Sequence, residues 1–154
     1  MSQSFEELLS KIQNLGGSIE EGIYKGIGHY VSKIQADAKR NCPVDTGHLR
    51  NSIHTNVKYE DTQIVGTVGT NLNYAIYVEL GTGPIGSKSP KILPTNITPK
   101  YKTQGWYYKA KDGIRYTKGQ AAKPFLYPAF KANENKAKEY IKKGISAYIR
   151  SLNG

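Results

Sequence analysis

Sulfur is nearly missing from this 154-residue sequence, which holds one cysteine, Cys42, and one methionine. A single thiol excludes an internal disulfide and fits a reducing cytoplasm, so the fold must rest on packing. Long apolar runs are missing too. The hydrophobic fraction is 38%, and no stretch approaches the roughly 20 apolar residues of a membrane span. The opening Met1-Ser2-Gln3-Ser4-Phe5-Glu6-Glu7 is acidic, where a secretory signal begins basic and turns apolar. Acidic residues are scarce in one place. Residues 83–131 carry 10 Lys/Arg against Asp112 alone, whereas residues 1–82 carry 7 Lys/Arg and 9 Asp/Glu. The net charge of +10 therefore belongs to the later half. A basic field attracts polyanions, whether nucleic acid or an acidic protein surface, and the plain alternative is a solvated basic face.

What is present reads as one α+β domain over residues 1–154, with two terminal helices packed on a small, mainly antiparallel sheet. Leu8, Ile12, Leu15, Ile19, Ile23, Ile27, Val31, Ile34 and Ala38 recur every three or four residues, the stripe of an amphipathic helix. Ser4 and Glu7 suit a capping box, and Pro43 stops the pattern. A helix spanning ~54 Å is too long for one small core, so Gly16-Gly17 predicts a kink or break. Val44-Asp45-Thr46-Gly47 is turn chemistry, with Asp45 and Thr46 hydrogen-bonding local backbone and Gly47 at positive φ. A strand follows in which Ile53, Thr55, Val57 and Tyr59 alternate with polar residues. Glu60-Asp61 turns into a second strand, Thr62 to Thr70. Asn71-Leu72-Asn73 then suits the cap of a short helix carrying Tyr74, Tyr77 and Val78, which Gly81-Thr82 ends.

Residues 83–104 show neither period and hold four prolines with Lys88, Lys91, Lys100 and Lys102, so they read as a flexible basic loop that orders on assembly. Trp106-Tyr107-Tyr108 and Ile114-Arg115-Tyr116 flank Asp112-Gly113, a tight hairpin signal. A last helix begins after Lys123-Pro124-Phe125-Leu126, with Pro128 in its first turn and Phe130, Ala137, Ile141, Ile145, Tyr148 and Leu152 as its stripe.

Motifs that suggest catalysis lack their context. Gly81-Thr82-Gly83-Pro84-Ile85-Gly86 matches a dinucleotide loop, but a helix precedes it, a proline-rich loop follows, and no acid stands about 20 residues on. Ser87 separates Gly86 from Lys88, against a phosphate-binding loop. His48 and His54 would share a strand face, but Cys42 adds no zinc spacing. Glu79 reads as a cap or an inter-subunit partner. No nucleophile has a base beside it, and no cofactor or metal is implied. Tyrosine is frequent, at 12 residues. Trp106, Tyr107, Tyr108 and Tyr116 lie among Lys102, Lys109, Lys111, Arg115 and Lys118, with Lys123 beyond, a pattern that serves base stacking or, preferably here, protein-interface anchoring.

Three blocks together resemble one family. Cys42-Pro43-Val44-Asp45-Thr46-Gly47-His48-Leu49-Arg50-Asn51-Ser52-Ile53 is similar to its P-V-D-T-G-x-L-x-x-S-I segment. Tyr74-Ala75-Ile76-Tyr77-Val78-Glu79-Leu80-Gly81-Thr82 is similar to its Y-A-x-Y-V-E-x-G-T segment, and Pro124-Phe125-Leu126-Tyr127-Pro128-Ala129 to its P-F-L-x-P-A segment. The family is the neck, or tail-completion, group of long-tailed double-stranded DNA phages. The resemblance implies a non-enzymatic structural protein of the virion, assembled in the host cytoplasm, that completes the tail and joins it to the head. It implies as partners the head-completion (stopper) protein and the tail terminator or tail tube protein, a homo-oligomeric ring, preferably a hexamer, and contact with passing DNA. The alternative from another class is a basic nucleic-acid-binding protein acting on phage DNA, distinguished by salt-dependent DNA binding.

Overall fold

The computed structural model describes residues 4–154. Its helices are α1 (Phe5–Asn14), α2 (Ile19–Asn41), α3 (His48–Ser52), α4 (Ala75–Leu80), α5 (Gly83–Lys88), α6 (Leu126–Asn133) and α7 (Ala137–Leu152). Its strands are β1 (His54–Glu60), β2 (Gln63–Gly69), β3 (Trp106–Ala110) and β4 (Gly113–Thr117). The class is α+β, as the sequence predicts. The length suggests one domain; the described chain divides into two compact units. The first comprises the chain up to Asp37, His54–Gly69 and Lys131–Gly154, and the second Ala38–Ile53 and Thr70–Phe130. Among the described residues no helix is long and apolar enough to cross a membrane.

The first unit begins at Ser4, whose hydroxyl accepts from Glu7 N–H at 3.2 Å, half of the expected capping box. The predicted break is present. Gly16 turns the chain at φ +71, Gly17 N–H closes α1 on the Ile12 carbonyl at 2.9 Å, and Ser18 caps α2 through Glu21 N–H. With the axis redirected, Leu8 and Ile12 of α1 pack against Ile145 and Ile149 of α7, and Ile19, Ile23, Ile141 and Tyr148 close around them. Burying such side chains contributes about 1.5–3 kcal/mol each.

The glycines of α2 read in the sequence as weak points, each costing roughly 1 kcal/mol against alanine. Gly26 has another use. A methyl there would lie 2.5 Å from Ile141 Cα and 2.8 Å from its carbonyl oxygen, and one on Gly144 would run into the Gly26 backbone. The α2–α7 crossing is thus backbone against backbone, possible only without side chains. α2 also packs on β2, where a methyl on Gly66 would lie 2.6 Å from Ile27 Cγ2 and 2.7 Å from Val31 Cγ1.

β1 and β2 pair antiparallel from His54↔Gly69 to Glu60↔Gln63, so the turn residues are Asp61-Thr62, one position later than expected. Thr55 and Val57 are half-buried and His54, Asn56 and Lys58 exposed, as the alternation predicts, but Tyr59, expected on the inner face with them, is 54% exposed. Tyr24 of α2 donates to the Val57 carbonyl at 2.9 Å and stacks on Tyr59 at 5.0 Å. Two buried polar residues bond each other: Asn133 Nδ2 donates to Asp37 at 2.7 Å, and Lys33 pairs with the same carboxylate at 2.8 Å. A buried carboxylate without such partners would cost several kcal/mol, on the order of 3–5.

In the second unit Ala38, Cys42, Leu49, Ile53, Ala75, Phe125 and Ala129 are buried. Several expectations need correction there. The turn at Gly47 leads into α3, and only then into β1. The single sheet is two separate two-stranded ones, β1–β2 and β3–β4, one in each unit. The tight turn of the second is Lys111-Asp112, because Ala110 pairs with Gly113. Residues 83–88 are helical, with Pro84 in the first turn, where its missing N–H costs nothing. The terminal helix is two, α6 and α7, parted at Glu134-Asn135-Lys136. Phe130 therefore leaves the apolar stripe and is 45% exposed, while Phe125 and Ala129 are buried.

Candidate interaction surface

The three sequence blocks converge in the second unit. Gly47 sits at φ +82, the left-handed region expected of it. Its carbonyl accepts from Asn51 N–H at 2.9 Å, while Thr46 Oγ1 accepts from His48 N–H at 3.4 Å. This turn aims Leu49 inward and leaves Val44, Asp45 and Thr46 exposed. Ser52 and Thr70 share a hydroxyl–hydroxyl hydrogen bond of 2.6 Å, tying the end of α3 to the approach to α4.

α4 starts on Tyr74 with no side-chain cap, so the asparagines at 71 and 73 do not play that part. Its Ala75 is buried, and Tyr74, Ile76 and Tyr77 point outward at 43%, 57% and 55% exposure. Glu79 is a cap, for another helix. One carboxylate oxygen accepts from Phe125 N–H at 2.8 Å and Leu126 N–H at 3.0 Å. The other accepts from Tyr127 N–H at 2.9 Å. These are the otherwise unpaired amides at the start of α6, where the helix dipole also favours an anion. Gly81 ends α4 at φ +73, Thr82 bridges Gln120, and Lys123 N–H donates to the Val78 carbonyl at 2.8 Å. The result is an open groove of about 610 Å³ lined by Pro43–Leu49, Tyr74, Val78, Gln120, Ala121 and Lys123. Beneath it burial pushes the Cys42 thiol up, Arg50 opposing the shift and Glu79 adding to it.

The basic candidates divide into anchored and outward residues. Lys91 Nζ donates to the Gly86 and Ser89 carbonyls at 2.7 and 2.8 Å and lies over the Tyr101 ring. Tyr101 OH in turn donates to the Leu80 carbonyl at 2.9 Å. The expected free loop is thus tied to its own unit at these points, while Ile92 and Ile97 stay 55% and 45% exposed. Lys102 covers the Trp106 ring at 4.7 Å, and Arg115 pairs with Asp112. Lys88, Lys100, Lys109, Lys111, Lys118 and Lys123 are exposed, and Tyr108 is 44% exposed.

Two distributions stand out. The second unit carries 12 Lys/Arg against Asp45, Glu79 and Asp112, a net +9 of the chain's +10. Among the described residues it also carries 12 of 15 exposed large hydrophobic side chains. Exposed apolar side chains and a strong positive charge thus lie on the same unit. Sequence reasoning missed its aliphatic part, Ile76, Ile85 and Ile114, because exposure leaves no periodic trace. His48 lies on α3 and His54 on β1, so they do not share a strand face. Among the described residues no group of three or more His, Cys, Asp or Glu could hold a metal.

A family model described as "Bacteriophage HK97-gp10, putative tail-component" matches residues 6–81. That span contains the first block and nearly all of the second; the third, at 124–129, lies outside it and is joined to the second through Glu79. Neither a curated protein nor a solved structure matches the chain. Over residues 6–81, just under half its length, the chain is thus similar to the HK97-gp10-like family of bacteriophage tail components.

Proposed function

We propose that this chain is a non-enzymatic structural protein of the phage neck, completing the tail and joining it to the head. The observation that carries the reading is the concentration of exposed apolar side chains and net charge on the second unit. A catalytic protein places its perturbed titratable groups in a cleft. Here the groove is lined by the Pro43–Leu49 turn with Asp45 and His48, and by Tyr74, Val78, Gln120, Ala121 and Lys123, and the outward apolar groups suit a protein–protein contact. The partners are the head-completion protein on one side and the tail terminator or tube on the other, with copies of the chain forming a ring, six by preference. Residues 89–104, beyond α5, take their final order in that assembly, where a partner covers Ile92 and Ile97.

The test is genetic. A nonsense mutation in the gene should leave DNA-filled heads and finished tails that do not join, visible by electron microscopy. Extracts of such a lysate should regain infectivity when the purified chain is added. Joined, infectious particles without the chain would overturn the reading.

A further inference from the structure

The second unit carries a patch that the groove does not include. In the β3–β4 pair, Tyr107 faces Tyr116 and Lys109 faces Ile114 across the strands. Successive cross-strand pairs two residues apart share a face, so these four side chains form one surface. Tyr107, Ile114 and Tyr116 are 74%, 77% and 53% exposed. The opposite face is occupied at its root. Trp106 is half-buried, and a methyl on Gly83 would meet its ring at 2.8 Å. The bridge between Thr82 and Gln120 fixes the chain beyond β4. The hairpin is thus anchored on one side and bare on the other, where an isolated two-stranded sheet has little to hold it.

We infer that this face docks on a partner protein surface made of apolar groups rimmed by carboxylates. The inference rests on the proposed structural role and adds the place and chemistry of one contact. Charge complementarity selects the acid: the unit is net +9, and Lys109 and Lys111 at the hairpin's tip are exposed. Ile114 selects protein over nucleic acid, because an exposed aliphatic side chain needs an apolar partner and has no stacking role. The Tyr107 and Tyr116 rings lie against each other at 5.1 Å, which reduces the π-surface left for bases. Arg115 is held by Asp112, and Lys102 by the Trp106 ring, so two cations that would serve phosphates are engaged.

The experiment uses the full chain with a random copolymer of glutamate and tyrosine, poly-glutamate and oligothymidylate as probes, in about 0.15 M salt, where long-range charge effects are screened. The copolymer should bind about tenfold tighter than poly-glutamate, and Ile114→Thr, which keeps a β-branched residue, should remove that difference. In the unaltered chain the copolymer should protect Tyr107 and Tyr116 from nitration and leave Tyr59, in the first unit, unprotected. Equal binding of the two polypeptides, no effect of Ile114→Thr, or tightest binding of oligothymidylate with protection of the same tyrosines would overturn the inference. None of these outcomes depends on the head–tail assay.

Discussion

Removing the carboxylate of Glu79 should loosen the start of α6 from a distance of more than 40 residues in sequence, since that group accepts three backbone N–H bonds of 2.8, 3.0 and 2.9 Å. A hydrogen bond to a charged group contributes about 1.5–3 kcal/mol when its partner is buried, and less where water can replace it. The residue is half-buried, and ordinary caps contribute about 0.5–2 kcal/mol. Glu79→Ala should therefore cost about 3 kcal/mol, lowering the melting temperature by roughly 6–12 °C in a chain of this size. Glu79→Gln keeps the shape and one acceptor, so its loss should be about half as large. Hydrogen exchange supplies the local reading: the amides of Phe125, Leu126 and Tyr127 should exchange faster in both variants, most in the alanine. If Glu79→Ala melts with the parent and those amides keep their protection, the carboxylate does not hold α6.

Further outcomes follow from the packing. Gly26→Ala and Gly144→Ala push a methyl into helix backbone, and each should cost about 3 kcal/mol or more, read by denaturant unfolding; a loss under about 1 kcal/mol would mean that the helices separate without penalty. Gly47→Val places a β-branched residue at φ +82 and should cost about 1–3 kcal/mol; an unchanged melting curve would refute it. Burial raises the Cys42 thiol, so the unfolded chain ionises first and stability should fall as pH rises past the ordinary thiol value. Cys42→Ser should lack that fall, and the native thiol should react with Ellman's reagent only slowly until unfolding. Limited trypsin digestion of the free chain should cut at Lys88, Lys100 or Lys102 before Lys91, whose ammonium is held by two carbonyls, and the same sites should be protected in purified virions.

Local signals in the sequence were mostly sound and tertiary ones mostly silent. The Ser4 cap, the break at Gly16-Gly17, the left-handed Gly47 and both hairpins follow from rules that act over four or five residues. The helix at the start of the 83–104 segment escapes the sequence for a related reason. Residues 83–88 form a helix that lacks an apolar period because it buries glycines, Gly83 and Gly86, instead of large side chains. The same holds for Gly26 and Gly144: composition records a helix breaker, while only the partner helix reveals why no side chain fits. Glu79 was legible as a cap, but its target was not, since nothing local links position 79 to 125. The outward tyrosines and isoleucines were hardest to place, because hydrophobic periodicity detects only faces that are buried.

The interleaving of the two units also sets a timetable for the ribosome. Leu8 and Ile12 leave the ribosome long before Ile145 and Ile149, which cover them. Until then the apolar side of α1 has no native partner, and the nascent chain must wait with that surface open to water or to a chaperone. A product cut short before α7 would lack two of the four buried residues of that cluster. Synthesis of α7 is thus a condition for closing that core, and chains that stop before it should be removed as unfolded.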